Sequence, residues 1–397
     1  MLFPQLLIEE LNNRRADFRR FADSRSDELE DYLKLLRELS AMTSAEVCRA
    51  VGDKEDANAL PSEELERFGG VCGRFEPRWR NHEEARRWAL EVLKNRTTFA
   101  ADGSQFLPGR DVSIEVAAIQ IGTFENTHSE RGEYKKQARF SVIPPGDLHD
   151  AEELNEKPVN VDTIVALRRF QAEAAAAREF LKSKAGWQER GERMPLAFFD
   201  GTLLISISLP RTSLQNIFVA EMVELVDLSE ETRVPIVGYV DHSYAADLIS
   251  LLDALSHSFL HQPSKIWKDA QLLRVETLQN WGERTAFFYS RRHGLRETYG
   301  SSVGFVYLQT TGEGVPARID VPAWIFRENL LEEVVDTIRA ECVIGLGYPY
   351  ALETADATAV ISTRDREIFL RALQDFARRE NLNFRVANKR MSKARRR

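Results

Sequence analysis

Asp102 and Asp200 are each followed by a glycine and then by a hydroxyl side chain. Each follows a short apolar run, and runs of this length predict buried β-strands. A carboxylate at the carboxyl end of a strand, with a glycine to turn the chain, projects into the crevice where α/β sheets bind ligands. If the two strands are neighbours, the carboxylates repel each other and favour a divalent cation between them. This geometry suits chemistry on phosphate groups.

Asp-Gly is also the commonest turn dipeptide, so either motif alone could be a surface turn. The run before Asp200, residues 196–199, is Leu-Ala-Phe-Phe, which is too apolar for a surface hairpin. The recurrence of the motif after a second apolar run favours a functional site.

A site for two divalent cations needs three or four oxygen ligands, and a predicted helix over 160–184 offers a third acid. On this helix Glu173 shares a face with Phe170 and Phe180. A lone carboxylate in an apolar stripe is costly unless it is paired or binds a metal. Glu179 has more polar neighbours, so the pattern favours Glu173. The alternative is that Glu173 reaches water at the sheet edge.

A fourth acid lies near the C-terminal end of the chain. A helix beginning at Pro349 places Asp356 on the same face as Leu352 and Ala359. Alone this signal is weak, but it completes a set of four acids for a two-cation site.

The elements that position these acids form a recognisable order. Residues 1–95 are predicted to form charged amphipathic helices that serve as a dimer or partner surface or pack on the chain's own core. From residue 96 three strands, a helix, a strand, a helix and a strand follow. This order predicts an α/β fold with a ribonuclease H-like mixed sheet and flanking helices. We expect that domain to span 96–388 and a basic tail to span 389–397.

Composition excludes several classes of protein. The net charge of −8 argues against a passive nucleic-acid coat, but not against a nuclease whose site is built from acids. No apolar stretch approaches the length of a membrane span, and the N-terminus lacks the order of a signal peptide. Three cysteines without metal-like spacing favour a cytoplasmic protein without structural zinc.

In their order and spacing, these blocks resemble the NurA nuclease family over about 98–361. The matching pieces are the two Asp-Gly motifs, the acid-bearing helix, Val-Gly-Tyr-Val at 237–240 and Gly-Tyr-Pro-Tyr at 347–350. The resemblance implies manganese-dependent 5′-to-3′ exonuclease and single-strand endonuclease activity in a homodimer. It also implies a HerA-type hexameric ATPase partner in the processing of DNA double-strand breaks.

The resemblance assigns roles to five residues. Asp102 and Asp200 match the family's strand aspartates, Glu173 matches its helix glutamate, and Tyr348 falls on its tyrosine. We expect the four acids, Asp356 included, to hold two manganese or magnesium ions and to be catalytic. Tyr348 is expected to stack on a base or bind a phosphate.

The chain departs from the family in two places. Many members have a histidine where this chain has Asp356, which can bind a cation but offers no neutral imidazole for proton transfer. Relatives often have a lysine where this chain has Asp241 and His242, and His242 is a candidate for the proton-transfer group. These departures keep open a non-catalytic adaptor for DNA ends.

An actin-like ATPase or sugar kinase is a further alternative, because those folds also carry two phosphate turns with an acid and a glycine. Such turns usually have Asp-x-Gly with further glycines, whereas here the two residues are adjacent.

Overall fold

The protein is described here by a computed structural model that covers residues 3–108, 112–149, 160–205, 212–256, 267–292, 295–300 and 302–383. The chain forms two compact units, the first from 1–78 and 240–323 and the second from 79–239 and 324–397. The expected extension over 1–95 therefore contributes to both units, and 240–323 interrupts the expected domain over 96–388. The expected basic tail, 389–397, lies outside the described residues. In the described ranges, no helix has the length and apolarity needed to cross a bilayer.

Helices and strands alternate along the chain. Up to residue 143 they are α1 (Pro4–Asn13), α2 (Arg15–Ser40), α3 (Ser44–Val51), β1 (Ala59–Pro61), α4 (Glu64–Phe68), β2 (Cys72–Gly73), α5 (His82–Leu93), β3 (Thr98–Phe106), β4 (Ala117–Asn126) and β5 (Tyr134–Ile143). The next elements are α6 (Pro145–His149), α7 (Val161–Lys184), β6 (Leu196–Asp200), α8 (Ser213–Thr232), β7 (Ile236–Val240), α9 (Asp247–Leu255) and α10 (Asp269–Glu276). The last are β8 (Arg284–Thr285), β9 (Phe288–Ser290), α11 (Arg296–Tyr299), β10 (Val303–Leu308), β11 (Ala317–Pro322), α12 (Ala323–Arg327), α13 (Leu331–Ile344), α14 (Tyr350–Ala359) and α15 (Thr363–Arg379).

The second unit is built on a mixed sheet in the order β7-β6-β3-β4-β5. Strands β3, β4 and β5 pair antiparallel in sequence, whereas β6 is parallel to β3 and β7 is parallel to β6. The parallel pairs follow from the crossover helices α7 and α8, since parallel neighbours need a long connection. This arrangement confirms the predicted ribonuclease H-like α/β fold.

Helices α7 and α14 cover opposite faces of this sheet. A Cβ on Gly103 of β3 would meet side chains of α7, and a Cβ on Gly122 of β4 would meet the backbone of α14. Gly122 is the cross-strand partner of Asp102, and successive residues of a strand point to opposite faces. Asp102 therefore faces α14, and the next position along β3 faces α7.

The first unit has its own core, in which α2, α3, α9 and α10 surround apolar residues of β1, β9 and β10. Buried charges in this unit are paired, as low-dielectric surroundings require. Asp247 lies 2.6 Å from Arg318 and 2.8 Å from Arg292, and Arg318 lies 2.7 Å from Asp320. By contrast, α1 has no buried residue.

Candidate metal centre

Asp102 and Asp200 come together because their strands are parallel neighbours. Ala101 pairs with Phe199, so the two aspartates follow side by side in the same register. Asp200 is the last residue of β6, as predicted. The prediction that Asp102 ends its strand is wrong, because β3 continues to Phe106 against β4.

The two glycines of the motifs do different work. Gly201 has φ +116, a conformation that favours glycine, and turns the chain after β6. Gly103 lies within β3, so the prediction that it turns the chain is wrong. A Cβ on Gly103 would lie 2.3 Å from Oε1 of Glu173 and 2.7 Å from Cγ of Arg169. The missing side chain makes room for α7 to bring its acid against the strand beside Asp102.

Asp356 reaches the site from α14. The first turn of this helix is fixed by the buried Glu341, whose Oε2 accepts a hydrogen bond from the Ala351 N–H at 2.9 Å. Asp356 and Asp102 share a hydrogen bond. Burial raises the pKa of Asp102 to about 6, and the charges of Asp200 and Asp356 raise it further toward that value. These three aspartates form one electrostatic cluster.

Asp200 is exposed, yet lost hydration and the charge of Asp356 raise its pKa. The Tyr348 hydroxyl donates a hydrogen bond to Oδ1 of Asp200 at 3.2 Å and opposes that rise. Gly347, with φ +112, forms the turn that brings Tyr348 to this position. The structure thus places the predicted tyrosine directly on one of the predicted acids.

Glu173 lies on the predicted apolar stripe of α7. The ring of Phe170 is 5.9 Å from that of Phe199, and the ring of Phe180 is 4.6 Å from that of Phe99. The stripe therefore packs on β3 and β6 and carries Glu173 to the sheet. Glu179 instead is exposed and pairs with a guanidinium on β5 at 2.8 Å.

Burial raises the pKa of Glu173 to about 7, with the charges of Asp102 and Asp200 adding to the rise and that of Arg169 opposing it. The side chain is 11% exposed. Its Oε1 is buried and has no hydrogen-bond partner. A buried carboxylate oxygen without a donor is uncommon and indicates a missing ligand or ion.

The four acids do not form a closed cage. In the part of the chain that the structure describes, no group of three or more His, Cys, Asp or Glu side chains is arranged to hold a metal ion. The cause is geometric, because Asp102 points toward α14 while the carboxylate of Glu173 lies over Gly103 on the α7 face. The donor set still fits a hard divalent cation, since all four ligands are oxygens and one is unpartnered.

Comparison with known families decides what kind of protein carries this centre. The NurA domain model matches residues 96–361. The chain belongs to the NurA family. No curated protein matches it.

Solved structures of NurA are similar at low identity. NurA with manganese is 10% identical, with a TM-score of 0.36, and the alignment covers 71% of this chain and 89% of that chain. For NurA bound to dAMP and manganese the values are 11%, 0.36, 71% and 88%. The catalytic domain of human endonuclease V is 17% identical, with a TM-score of 0.33 and coverage of 70% and 84%. The family assignment rests on the domain match.

Asp241 and His242, the second departure from the NurA pattern, belong to the first unit. Nδ1 of His242 lies 2.7 Å from Oδ2 of Asp241, and both side chains are exposed. Their part in proton transfer stays a prediction.

Sequence reasoning missed Arg169 in this NurA centre. It precedes Glu173 by four residues, one helical turn, and its Nη1 lies 3.2 Å from Oε1 of Glu173. The i, i+4 spacing of opposite charges on a predicted helix was an available signal. Asp356 and Glu173 drew attention as acids among apolar residues, whereas a cation beside an acid resembles an ordinary surface pair.

Gly122→Ala is expected to destabilise the second unit by about 2 kcal/mol, because overpacking forces the backbone to move. The new Cβ would lie 2.5 Å from the Ala359 nitrogen and 2.6 Å from the Ala355 carbonyl oxygen of α14. The measurement is thermal denaturation. Gly146→Ala is the control, because a Cβ there meets nothing within 4 Å. Equal melting temperatures for the two variants would contradict the close approach of α14 to β4.

Proposed function

We propose that this NurA protein is a metal-dependent DNA nuclease, with 5′-to-3′ exonuclease and single-strand endonuclease activity. The observation that supports this most is the cluster of Asp102, Asp200 and Asp356, in which pKa values are raised by burial and by mutual charge. Acids held close together in this way bind divalent cations well, because the cation relieves their repulsion. The unpartnered Oε1 of Glu173 adds a fourth oxygen nearby.

In the proposed mechanism, Asp102 is the shared ligand of two manganese or magnesium ions, because its pKa responds to both other aspartates. Asp200 and Glu173 complete one set of ligands, and Asp356 completes the other. Bound divalent ions activate a water for attack on a phosphodiester and stabilise the leaving 3′ oxygen. Tyr348 orients Asp200 through its hydroxyl and offers its ring to a base.

The proposal extends to partners. Helix α1 and the start of α2 expose large apolar side chains: Phe3, Leu6, Leu7, Ile8, Leu11, Phe18 and Phe21. Exposed apolar patches of this kind mark interaction surfaces. We assign this surface to the homodimer or to a HerA-type hexameric ATPase that acts with the nuclease on DNA ends. All three cysteines are free thiols, as a cytoplasmic protein would have.

The test is degradation of end-labelled single- and double-stranded DNA by the full-length chain. With manganese we expect both substrates to shorten, with products that define the polarity. Excess EDTA is expected to stop the reaction completely, and added manganese to restore it. Absence of degradation in manganese and magnesium would contradict the proposal.

A second candidate, a non-catalytic adaptor for DNA ends, is favoured by one observation. Within the described ranges, no three acidic or histidine side chains are arranged as a metal site. An adaptor binds labelled DNA ends equally with manganese and with EDTA and leaves them intact. ATP hydrolysis without DNA would instead support the actin-like ATPase or kinase, although Gly103 lies within a strand and forms no phosphate turn.

A further inference from the structure

Arg169 connects the helix acid to the strand that carries Asp102. Its Nη1 donates a hydrogen bond to the main-chain oxygen of Gly103 at 2.8 Å. The same nitrogen lies 3.2 Å from Oε1 of Glu173. One guanidinium nitrogen therefore spans an acid of the proposed metal centre and the residue that follows another.

This contact is an incomplete pair. Although Nη1 of Arg169 is near Oε1 of Glu173, that oxygen has no hydrogen-bond partner, and Nε of Arg169 is also buried without one. The hydrogen of Nη1 is directed to Gly103 instead. Glu173 thus keeps an oxygen for another ligand while a fixed positive charge lies beside it.

The charge of Arg169 acts on more than one acid. It lowers the pKa of Glu173 and also that of Asp200, which lies at the end of the neighbouring strand. The side chain is 35% exposed, so solvent weakens this field without removing it. A positive charge so close to these oxygens opposes the approach of a divalent cation.

We propose that Arg169 is a positioning residue with two separable effects on this centre. Its charge weakens the binding of divalent cations, and its bridge to Gly103 holds Glu173 in the orientation that cleavage needs. The inference rests on the proposed nuclease function, because it concerns the same four acids.

The first experiment measures manganese binding by titration calorimetry, with the full-length chain at pH 8 and no DNA. Arg169→Gln removes the charge and is expected to bind manganese at least about fivefold more tightly, since the repulsion is gone. Arg169→Lys keeps the charge and is expected to stay within about twofold of wild type. Arg168→Gln is the matched control, because Arg168 is the next-door residue on α7 and donates to Gln171 instead.

The second experiment measures DNA cleavage at saturating manganese. A lysine lacks the planar guanidinium that spans two acceptors, so Arg169→Lys and Arg169→Gln are both expected to lower kcat about tenfold. KM for DNA is expected to change less than about twofold, because the bridge acts on Glu173 and not on the substrate. Circular dichroism and thermal denaturation establish that each variant is folded.

The outcomes separate the two proposals. If wild type binds manganese and Arg169→Gln binds it equally or more weakly, the charge effect is wrong. If Arg169→Lys restores kcat, the bridge is wrong. A wild-type chain that binds no manganese overturns the proposed nuclease function and this inference together.

Discussion

Glu173→Gln is expected to reduce manganese-dependent cleavage of DNA at least about a thousandfold, since an uncharged amide is a poor ligand for a hard divalent cation. The substitution preserves the shape of the side chain and leaves the stripe of α7 packed on the sheet. The loss should therefore appear in kcat with the fold intact. The measurement is single-turnover cleavage of end-labelled DNA at saturating manganese.

Glu179→Gln is the matched control for this prediction. It makes the same chemical change two turns further along α7, on an exposed side chain that pairs with Arg139. Such surface pairs contribute little, so its cleavage rate should stay within about threefold of wild type. Equal losses in the two variants, or full activity in both, would show that Glu173 is not a ligand.

The part of the fold that positions this acid could largely be predicted from the sequence. An apolar run before each aspartate predicted the two strands, and the order of elements predicted that those strands are parallel neighbours. Parallel neighbours place the residues after Ala101 and Phe199 side by side, as the register shows. The 3.6-residue period of α7 singled out Glu173 over Glu179 because only one of them shares a face with the phenylalanines.

The approach of the acids from two faces could not be predicted. An Asp-Gly pair does not reveal whether its glycine turns the chain or opens space, and here each motif does one of these. Gly103 has no side chain because Glu173 and Arg169 occupy that volume, a contact between residues far apart in sequence. Only the register of β3 against α7 and β4 decides it.

The division of the chain into units escaped prediction for a related reason. Residues 240–323 continue directly from β7, so the sequence pattern extends the nuclease domain through them. In the structure they form one unit with 1–78, joined by pairs such as Glu64 with Arg284 at 2.7 Å. Partners separated by more than two hundred residues leave no local pattern.

Glu173→Gln is also expected to stabilise the metal-free protein by about 3 kcal/mol above pH 7, an effect opposite in sign to its effect on activity. Burial raises the pKa of Glu173 to about 7, so ionisation at neutral pH is unfavourable in the folded state. Glutamine has no charge to bury. Sites that bind metals commonly trade stability for function in this way. The measurement is thermal denaturation in EDTA from pH 4 to pH 8.

The pH dependence gives this prediction its direction. The folded pKa of Glu173 lies above its value in the unfolded chain, so its contribution to stability is complete below about pH 4.5 and is lost as the pH rises through 7. The melting temperatures of wild type and Glu173→Gln should therefore coincide at pH 4 and separate steadily above it. Glu179→Gln should show no such separation, because that carboxylate has its pKa lowered by Arg139.

Manganese should then reverse the order of the two proteins at pH 8. A ligand that binds only the folded state raises its stability, and only wild type keeps the carboxylate that the proposed site requires. We expect manganese to raise the melting temperature of wild type more than that of Glu173→Gln. A variant that is less stable than wild type in EDTA at pH 8 would show that Glu173 is satisfied by its surroundings and is not held ready for a cation.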